Sequence, residues 1–174
     1  AEVVDVRFEG NARVSAEQLA SAIRTRQTRC TMALPLRWLC GLFGVGVDEH
    51  YLDPAVVAAD ELRLRLYYYE RGFRNAQVTS EVTPVEDGVD VVFRIEAGRA
   101  VRVTSIAFVG EADRVAPILK PASPLGEGDP LDLGALQAAR DTLQSRLRDQ
   151  GYGSIVLVGQ SFGGWISLAA VAVA

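Results

Sequence analysis

The sequence contains few of the side chains from which metal and catalytic sites are built. Its 174 residues include two cysteines, one histidine and one methionine. A closed four-ligand zinc site draws on more Cys and His than this chain offers, so the composition argues against structural zinc. We therefore expect neither a metal nor a cofactor.

Basic charge is also scarce. The chain has 18 Lys and Arg against 22 Asp and Glu, a net charge of -4, and no basic tail. Nucleic-acid binding requires a basic surface, so we expect no nucleic-acid partner. The remaining composition, 49% hydrophobic and 23% charged, is that of an ordinary globular protein.

Charge is missing altogether from residues 153–174, which contain a G-x-S-x-G match, Gly159-Gln160-Ser161-Phe162-Gly163. The match follows a strand-like apolar run and precedes a helix-like run, as in the nucleophile elbow of α/β-hydrolases. In that fold the acid and the histidine follow the serine, but no Asp, Glu or His follows Ser161. We expect no enzyme activity and no catalytic residue, and a serine hydrolase fragment is the alternative.

An internal repeat is the most informative pattern that is present. Val6-Arg7-Phe8-Glu9-Gly10 recurs one hundred positions later as Ile106-Ala107-Phe108-Val109-Gly110, and the two copies are followed by Gly72-Phe73 and Gly151-Tyr152. A repeat at this spacing defines the folding unit, so we expect two small modules in tandem.

Local signals predict β-α-α-β-β for the first module. Residues 2–9 alternate as a strand with Val4, Val6 and Phe8 on one face, and Ser15 with Gln18 forms a capping box that begins a helix. The other predicted elements are a helix over 53–71, strands over 77–84 and 89–96 joined by a turn, and, in the second module, a strand over 101–109 and helices over 111–119 and 132–150.

Residues 26–52 have no counterpart in the second copy and are predicted to be an insertion. They carry Cys30 and Cys40, ten positions apart. In an oxidising compartment these cysteines can close a disulfide, and two buried thiols are the alternative.

The pattern resembles the POTRA domains of the Omp85 family, the outer-membrane assembly factors of the BamA and TamA type. The resemblance spans about residues 1–152 and is carried by these segments: 6–11, Val14-Ser15, Tyr69-Glu70-Arg71-Gly72-Phe73, Ala76-Gln77-Val78, Phe93-Arg94-Ile95-Glu96-Ala97-Gly98, 106–110, Gly128-Asp129-Pro130 and Gly151-Tyr152.

The resemblance implies an α+β fold of two tandem β-α-α-β-β modules, each with a three-stranded mixed sheet covered by two helices. It implies modules over 1–98, with the insertion 26–52, and over 99–174, with the uncharged tail 153–174. For that tail two interpretations stay open, a substituted hairpin that closes the second module or a foreign end, and a membrane span ranks third.

The resemblance also implies a non-catalytic scaffold on the periplasmic face of the outer membrane. Its partners would be unfolded outer-membrane proteins, a membrane β-barrel that follows the modules, and accessory assembly proteins. A spacer that only positions the barrel is the alternative.

Clients are expected to add as a further strand at a sheet edge, because an edge strand leaves backbone N–H and C=O groups unpaired. The sequence prediction for that edge is residues 75–82. They are Asn75, Gln77, Thr79 and Glu81 on one side, and Ala76, Val78, Ser80 and Val82 on the side facing the helices.

Overall fold

The computed structural model describes residues 1–31, 40, 46–106, 117, 121 and 123–151, together with the backbone of 154–162 and 165–173. The chain divides into two compact units. The first comprises Ala1–Tyr69 and Asn75–Gly98, and the second comprises Glu70–Arg74 and Arg99–Ala174. The end of the strand predicted over 101–109 and nearly all of the helix predicted over 111–119 lie outside the described residues, as does most of the second repeat motif.

The first unit is built on a three-stranded mixed sheet. Its elements in chain order are β1 (Val3–Glu9), α1 (Ala16–Ala22), β2 (Arg29–Cys30), β3 (Val47–Asp48), α2 (Pro54–Glu70), β4 (Gln77–Val85) and β5 (Gly88–Glu96). The sheet order is β1-β5-β4, with β1 parallel and β4 antiparallel to β5. This confirms the expected mixed α+β fold.

Strand β5 supplies the centre of the core because it has neighbours on both sides. Its side chains alternate strictly, with Val89, Val91, Phe93 and Ile95 buried. Leu19 of α1 and the buried face of α2, formed by Val57, Leu64 and Tyr68, complete the core of this unit.

The predicted face of β1 was wrong at Val4. Val3 is buried at 1% exposure, whereas Val4 is 39% exposed. The register against β5 shifts between Val3 and Asp5, which is the signature of a β-bulge. The bulge reverses the alternation, so Val3 points to the same side as Phe8, which stacks on Phe93 with ring centroids 5.8 Å apart.

The two helices begin where their capping residues predict. Ser15 and Gln18 form the reciprocal capping box of α1. The Asp53 carboxylate accepts from the Ala55 amide at 2.9 Å, so Asp53 caps α2 and Pro54 occupies its first position.

A buried carboxylate fastens the chain after α1 to α2. Asp60 is 0% exposed; its Oδ1 accepts from the Arg24 amide at 2.9 Å and its Oδ2 from the amide and hydroxyl of Thr25 at 2.7 and 2.6 Å. The Arg63 guanidinium pairs with Oδ1. Burial raises the pKa of Asp60, but these hydrogen bonds outweigh it and hold the pKa below its ordinary value of 3.8.

The second unit contains α3 (Leu133–Asp149), β6 (Ser154–Phe162) and β7 (Trp165–Val173). Asp132 caps α3, which falls within the helix predicted over 132–150. The strand predicted over 101–109 is wrong for its described part, since 101–106 form only an isolated bridge between Arg102 and Pro130. The uncharged tail forms an antiparallel pair, β6 with β7.

Candidate peptide-binding edge

Strand β4 lies at one edge of the sheet. Its register runs from Gln77 opposite Glu96 to Val85 opposite Gly88, where a two-residue turn of Glu86 and Asp87 closes the hairpin. The predicted edge strand therefore lies at an edge, but it covers Gln77–Val85; Asn75 lies in a turn before it and Ala76 directly precedes it.

Side chains of β4 alternate as the sequence pattern indicates. Gln77, Thr79 and Glu81 are exposed, whereas Val78 is 1% exposed on the side facing the helices. Val82 lies on that same side but is 39% exposed, because the core ends before it.

The backbone groups of alternate β4 residues point away from β5. In an antiparallel pair, residues that bond to the partner strand alternate with residues that do not. The Ser80 amide donates to a helix side chain, so Ser80 belongs to the outward set. Val78, Val82 and Pro84 share its parity, and we call these outward groups the outer edge of β4. Pro84 offers no N–H there, as is common on edge strands.

Part of the outer edge is occupied by two side chains of α2. Glu61 Oε1 accepts from the amide of Ser80 at 2.8 Å and from its hydroxyl at 2.6 Å. Arg65 Nη2 donates to the Val78 carbonyl at 3.3 Å and to Glu61 Oε2 at 3.2 Å. Sequence reasoning missed this pair, which we call the clasp; its only signal is the Glu–Arg spacing of four on a helix.

Two exposed leucines lie beside the clasp. Leu62 and Leu66 are 61% and 56% exposed and directly follow Glu61 and Arg65. One residue is a turn of 100° in a helix, so the leucines lie on the face of α2 opposite its buried residues Val57, Leu64 and Tyr68. We call them the outer stripe.

The sheet face opposite the helices is polar and joined by ion pairs. Arg94 of β5 contacts Glu9 of β1 at 3.1 Å and Glu81 of β4 at 2.8 Å, and Arg7 pairs with Asp90. The hydrogen bond to Glu9, with the nearby charge of Glu81, raises the pKa of Arg94. These charges keep this face solvated, so the sheet packs through its other face.

The cysteines and the serine motif lie away from this edge in sequence. Cys30, the last residue of β2, is joined to Cys40 by a disulfide. The helix-like run after Ser161 is not a helix: Gly159 to Phe162 lie in β6, and β7 follows. The strand-to-helix turn of a nucleophile elbow is therefore absent from the described backbone here.

In the part of the chain that the structure describes, no three His, Cys, Asp or Glu side chains are grouped so that they could hold a metal ion. None of its helices combines the length and apolar character required to cross a membrane.

The arrangement defines a class of protein: an α+β module whose mixed sheet and two helices follow in β-α-α-β-β order, with the short β2–β3 ladder inserted between the helices. A family model described as "POTRA: Surface antigen variable number repeat" matches residues 1–98. The match covers more than half of the 174 residues, so the chain belongs to the POTRA family. The resemblance drawn from the sequence is thereby confirmed.

Solved structures to which the chain is similar include BamA POTRA domains 3–5 from Haemophilus influenzae, with TM-score 0.35, 13% identity, and coverage of 98% of this chain and 95% of that one. POTRA domains 1–2 of the periplasmic domain of Omp85 from Anabaena match with TM-score 0.40 and 20% identity, over 97% of this chain and 92% of that one. The N-terminal domain of Omp85 from Thermosynechococcus elongatus matches with TM-score 0.36 and 14% identity, over 98% of this chain and 65% of that one. A comparison with curated proteins gave no match.

Proposed function

We propose that this chain is a periplasmic binding scaffold of an outer-membrane β-barrel assembly factor, and that it receives unfolded outer-membrane proteins by strand addition at β4. The observation that carries the proposal is the outer edge, where the Val82 amide and carbonyl face away from β5. Membership of the POTRA family supports the same role.

Strand addition suits a receptor for many clients. An incoming extended segment satisfies backbone N–H and C=O groups that any sequence can supply, so the pairing itself carries little sequence information. The side chains of the added strand then decide how well it packs against α2.

We also propose a role for residues 99–174, further partners and a cellular location. The described hairpin of β6 and β7 together with α3 supports residues 99–174 as a second POTRA-like module, after a first module over 1–98. We propose that a membrane β-barrel and accessory assembly proteins are the other partners, at the periplasmic face of the outer membrane, and that the chain has no enzyme activity.

The test is an NMR titration with a short peptide from the last strand of an outer-membrane barrel protein. We expect shifts on β4, and we expect Val82→Pro to weaken binding by at least about tenfold because it removes an outward N–H. Val82 does not bond to β5 through that group, so the fold is retained. Val82→Ala keeps the N–H and is the matched control.

Two results would count against this role. Equal binding by Val82→Pro and Val82→Ala would move the client away from this edge. No shifts anywhere in a folded chain would favour the spacer function.

A further inference from the structure

Strand β1 lies at the other edge of the sheet, and its outward residues follow from the register against β5. Val3, Val6 and Phe8 stand opposite alternate residues of β5, so they direct their backbone groups to the same side. The Glu2 carbonyl accepts from the Val89 amide, so the next residue, Val3, faces away from β5. We call the outward groups of Val3, Val6 and Phe8 the β1 edge.

Two segments of the insertion bond to the β1 edge at Val3. The Val3 amide donates to the His50 carbonyl, and the Val3 carbonyl accepts from the Thr28 amide, both at 2.8 Å. An antiparallel bridge joins Tyr51 to the residue before Val3, so residues 50–52 lie beside the start of β1 as a further strand would. We call Thr28 and residues 50–52 the edge cover.

The two parts of the edge cover are fastened to each other. The His50 amide donates to the Thr28 hydroxyl at 3.0 Å, and the β2–β3 ladder continues from there. At the far end of this ladder the Thr31 amide donates to the Gly46 carbonyl at 2.9 Å. The edge cover is therefore the base of one folded ladder and not two independent segments.

The next outward residue is bonded to its own neighbour. Asp5 Oδ1 accepts from the Val6 amide at 2.9 Å. The bulge between Val3 and Asp5 also interrupts the regular spacing on which a ladder depends. Covering an edge and bending it with a bulge are two ways in which folded proteins prevent further strand pairing.

The covers of the two sheet edges differ in kind. On β4 the clasp bonds to the Ser80 amide and the Val78 carbonyl through side chains, which can rotate aside while the backbone stays in place. At Val3 both bonds join backbone groups, and the partner segments belong to a ladder. A strand added at β1 must therefore move a folded segment, whereas a strand added at β4 has to move two side chains.

We propose that the edge cover closes β1 to strand addition, so that the first unit receives one extended segment, at β4. The inference rests on the proposed function and concerns which edge admits the client. A client at β1 would have to break two backbone hydrogen bonds of Val3 before it formed its own. The insertion thereby makes the sheet a receptor with a single open side, and it sets the number of client strands that the unit binds.

The test compares two variants of the full chain that share Asp5→Ala, which releases the amide of the following residue. In the cover-deleted variant, about eight Gly and Ser residues, with a reach of about 26 Å, replace residues 27–51. The linker is long enough because Thr25 bonds to Asp60, which lies two turns from Asp53 in α2. Both Thr25 and the capping residue Asp53 are kept.

The matched control is a loop-shortened variant that keeps the edge cover. A turn of about two residues replaces residues 32–45, because Thr31 and Gly46 are already joined by a hydrogen bond. Neither variant contains the disulfide, so its loss cannot explain a difference between them.

An NMR titration with the peptide used for β4 reports on both edges. We expect the loop-shortened variant to bind one peptide at β4, as the wild type does. The cover-deleted variant should bind a second peptide and show a second set of shifts on β1. Its affinity at β4 should change by less than about threefold, since β4 lies at the opposite edge of the sheet.

Thr28→Pro tests the same contact without a deletion. It removes the amide that bonds to the Val3 carbonyl and the hydroxyl that holds the His50 amide. Thr28→Val loses the hydroxyl but keeps the amide and is the matched control. In the Asp5→Ala background we expect peptide-induced shifts on β1 for Thr28→Pro and none for Thr28→Val.

The outcomes separate this inference from the proposed function. Peptide binding at β4 alone, in a folded cover-deleted variant or in Thr28→Pro, would overturn the closure of β1 and leave strand addition intact. Shifts on β1 in the wild type would overturn it as well. Failure of the peptide to bind the folded wild type and every folded variant would remove the proposed function, and this inference with it.

Discussion

Asp60 shows how a single residue fixes the position of α2. Its two oxygens face four donors, from Arg24, Thr25 and Arg63, in a site with 0% exposure. A buried carboxylate can serve such a set only while it is ionised, because protonation would place an O–H against donors. This site could not be predicted from the sequence, because Asp60 is one of several charged residues in a helix with exposed positions.

Replacing Asp60 should be costly. Asp60→Ala leaves the buried Thr25 amide and the part-buried Arg24 amide without acceptors and is expected to lower the free energy of unfolding by about 3 kcal/mol. Urea unfolding measures the loss, and Asp141→Ala, an exposed change on α3, is the control. A loss under about 0.5 kcal/mol, the range of neutral surface changes, would contradict this role.

The same residue predicts a pH dependence. The pKa of Asp60 is lower in the folded chain than its ordinary value of 3.8. The contribution of Asp60 to the free energy of unfolding is therefore complete above that pH. The contribution disappears as the pH falls through the native pKa. The stability difference between wild type and Asp60→Asn should therefore shrink in acid, and a constant difference from pH 7 down to pH 2 would refute the assignment.

Gly10 and Gly98 provide a matched pair of glycine positions. Both have positive φ, +78° and +68°. A Cβ at Gly10 would lie 2.1 Å from the Ile95 carbonyl oxygen, whereas at Gly98 nothing lies within 4 Å. We expect Gly98→Ala to cost about 1 kcal/mol from backbone strain alone, and Gly10→Ala at least about 3 kcal/mol. Equal losses of stability for the two variants in thermal unfolding would show that the close contact with the Ile95 carbonyl does not destabilise Gly10→Ala.

At the level of elements, local sequence signals predicted the features that depend on neighbouring residues, namely turns and helix starts. The Glu86-Asp87-Gly88 turn and two alternating runs correctly indicated the β4–β5 hairpin, and capping residues correctly began both helices. The bulge at Val4 could not be predicted, because it depends on how β1 meets β5. The clasp could not be predicted either, since a Glu–Arg pair on a helix usually faces solvent and only the packing of α2 brings it to β4.

The disulfide between Cys30 and Cys40 links the short β2–β3 ladder, in which Cys30 pairs with Val47, to the segment that follows β2. Its reduction should lower the free energy of unfolding by about 3 kcal/mol, the chain-entropy value for a loop of this size. Denaturant unfolding with and without reductant measures this. Cys30→Ser/Cys40→Ser should unfold like the reduced wild type and show no response to reductant; a response would assign the effect to something other than this bond.

At the scale of the whole molecule, the compact units do not follow the sequence boundary. Residues 70–74 lie within the family match over 1–98 but belong to the second unit. There the Gly72 carbonyl accepts from the Val101 amide at 2.9 Å. The last turn after α2 thus serves as a part of the unit that follows it.

Gly72→Ala should therefore damage the second unit first. Gly72 has φ +90°, and a Cβ there would lie 3.0 Å from the Leu131 amide nitrogen and 3.2 Å from the Val101 carbonyl oxygen. Residue-resolved hydrogen exchange should show faster exchange at Val101 and Leu131, with β5 unchanged. Gly10→Ala should instead speed exchange in β5 and leave Val101 and Leu131 unchanged. Faster exchange confined to β5 in Gly72→Ala would contradict the assignment of residues 70–74 to the second unit.

The central position of β5 has a consequence for the proposed addition of a strand at the outer edge of β4. The core side chains of the sheet come mainly from β5, and β4 contributes only Val78 to the fully buried set. A fourth strand can arrive and leave without opening the hydrophobic interior. Under the proposed function, a client would therefore bind and dissociate at the edge of the sheet while the domain stays folded.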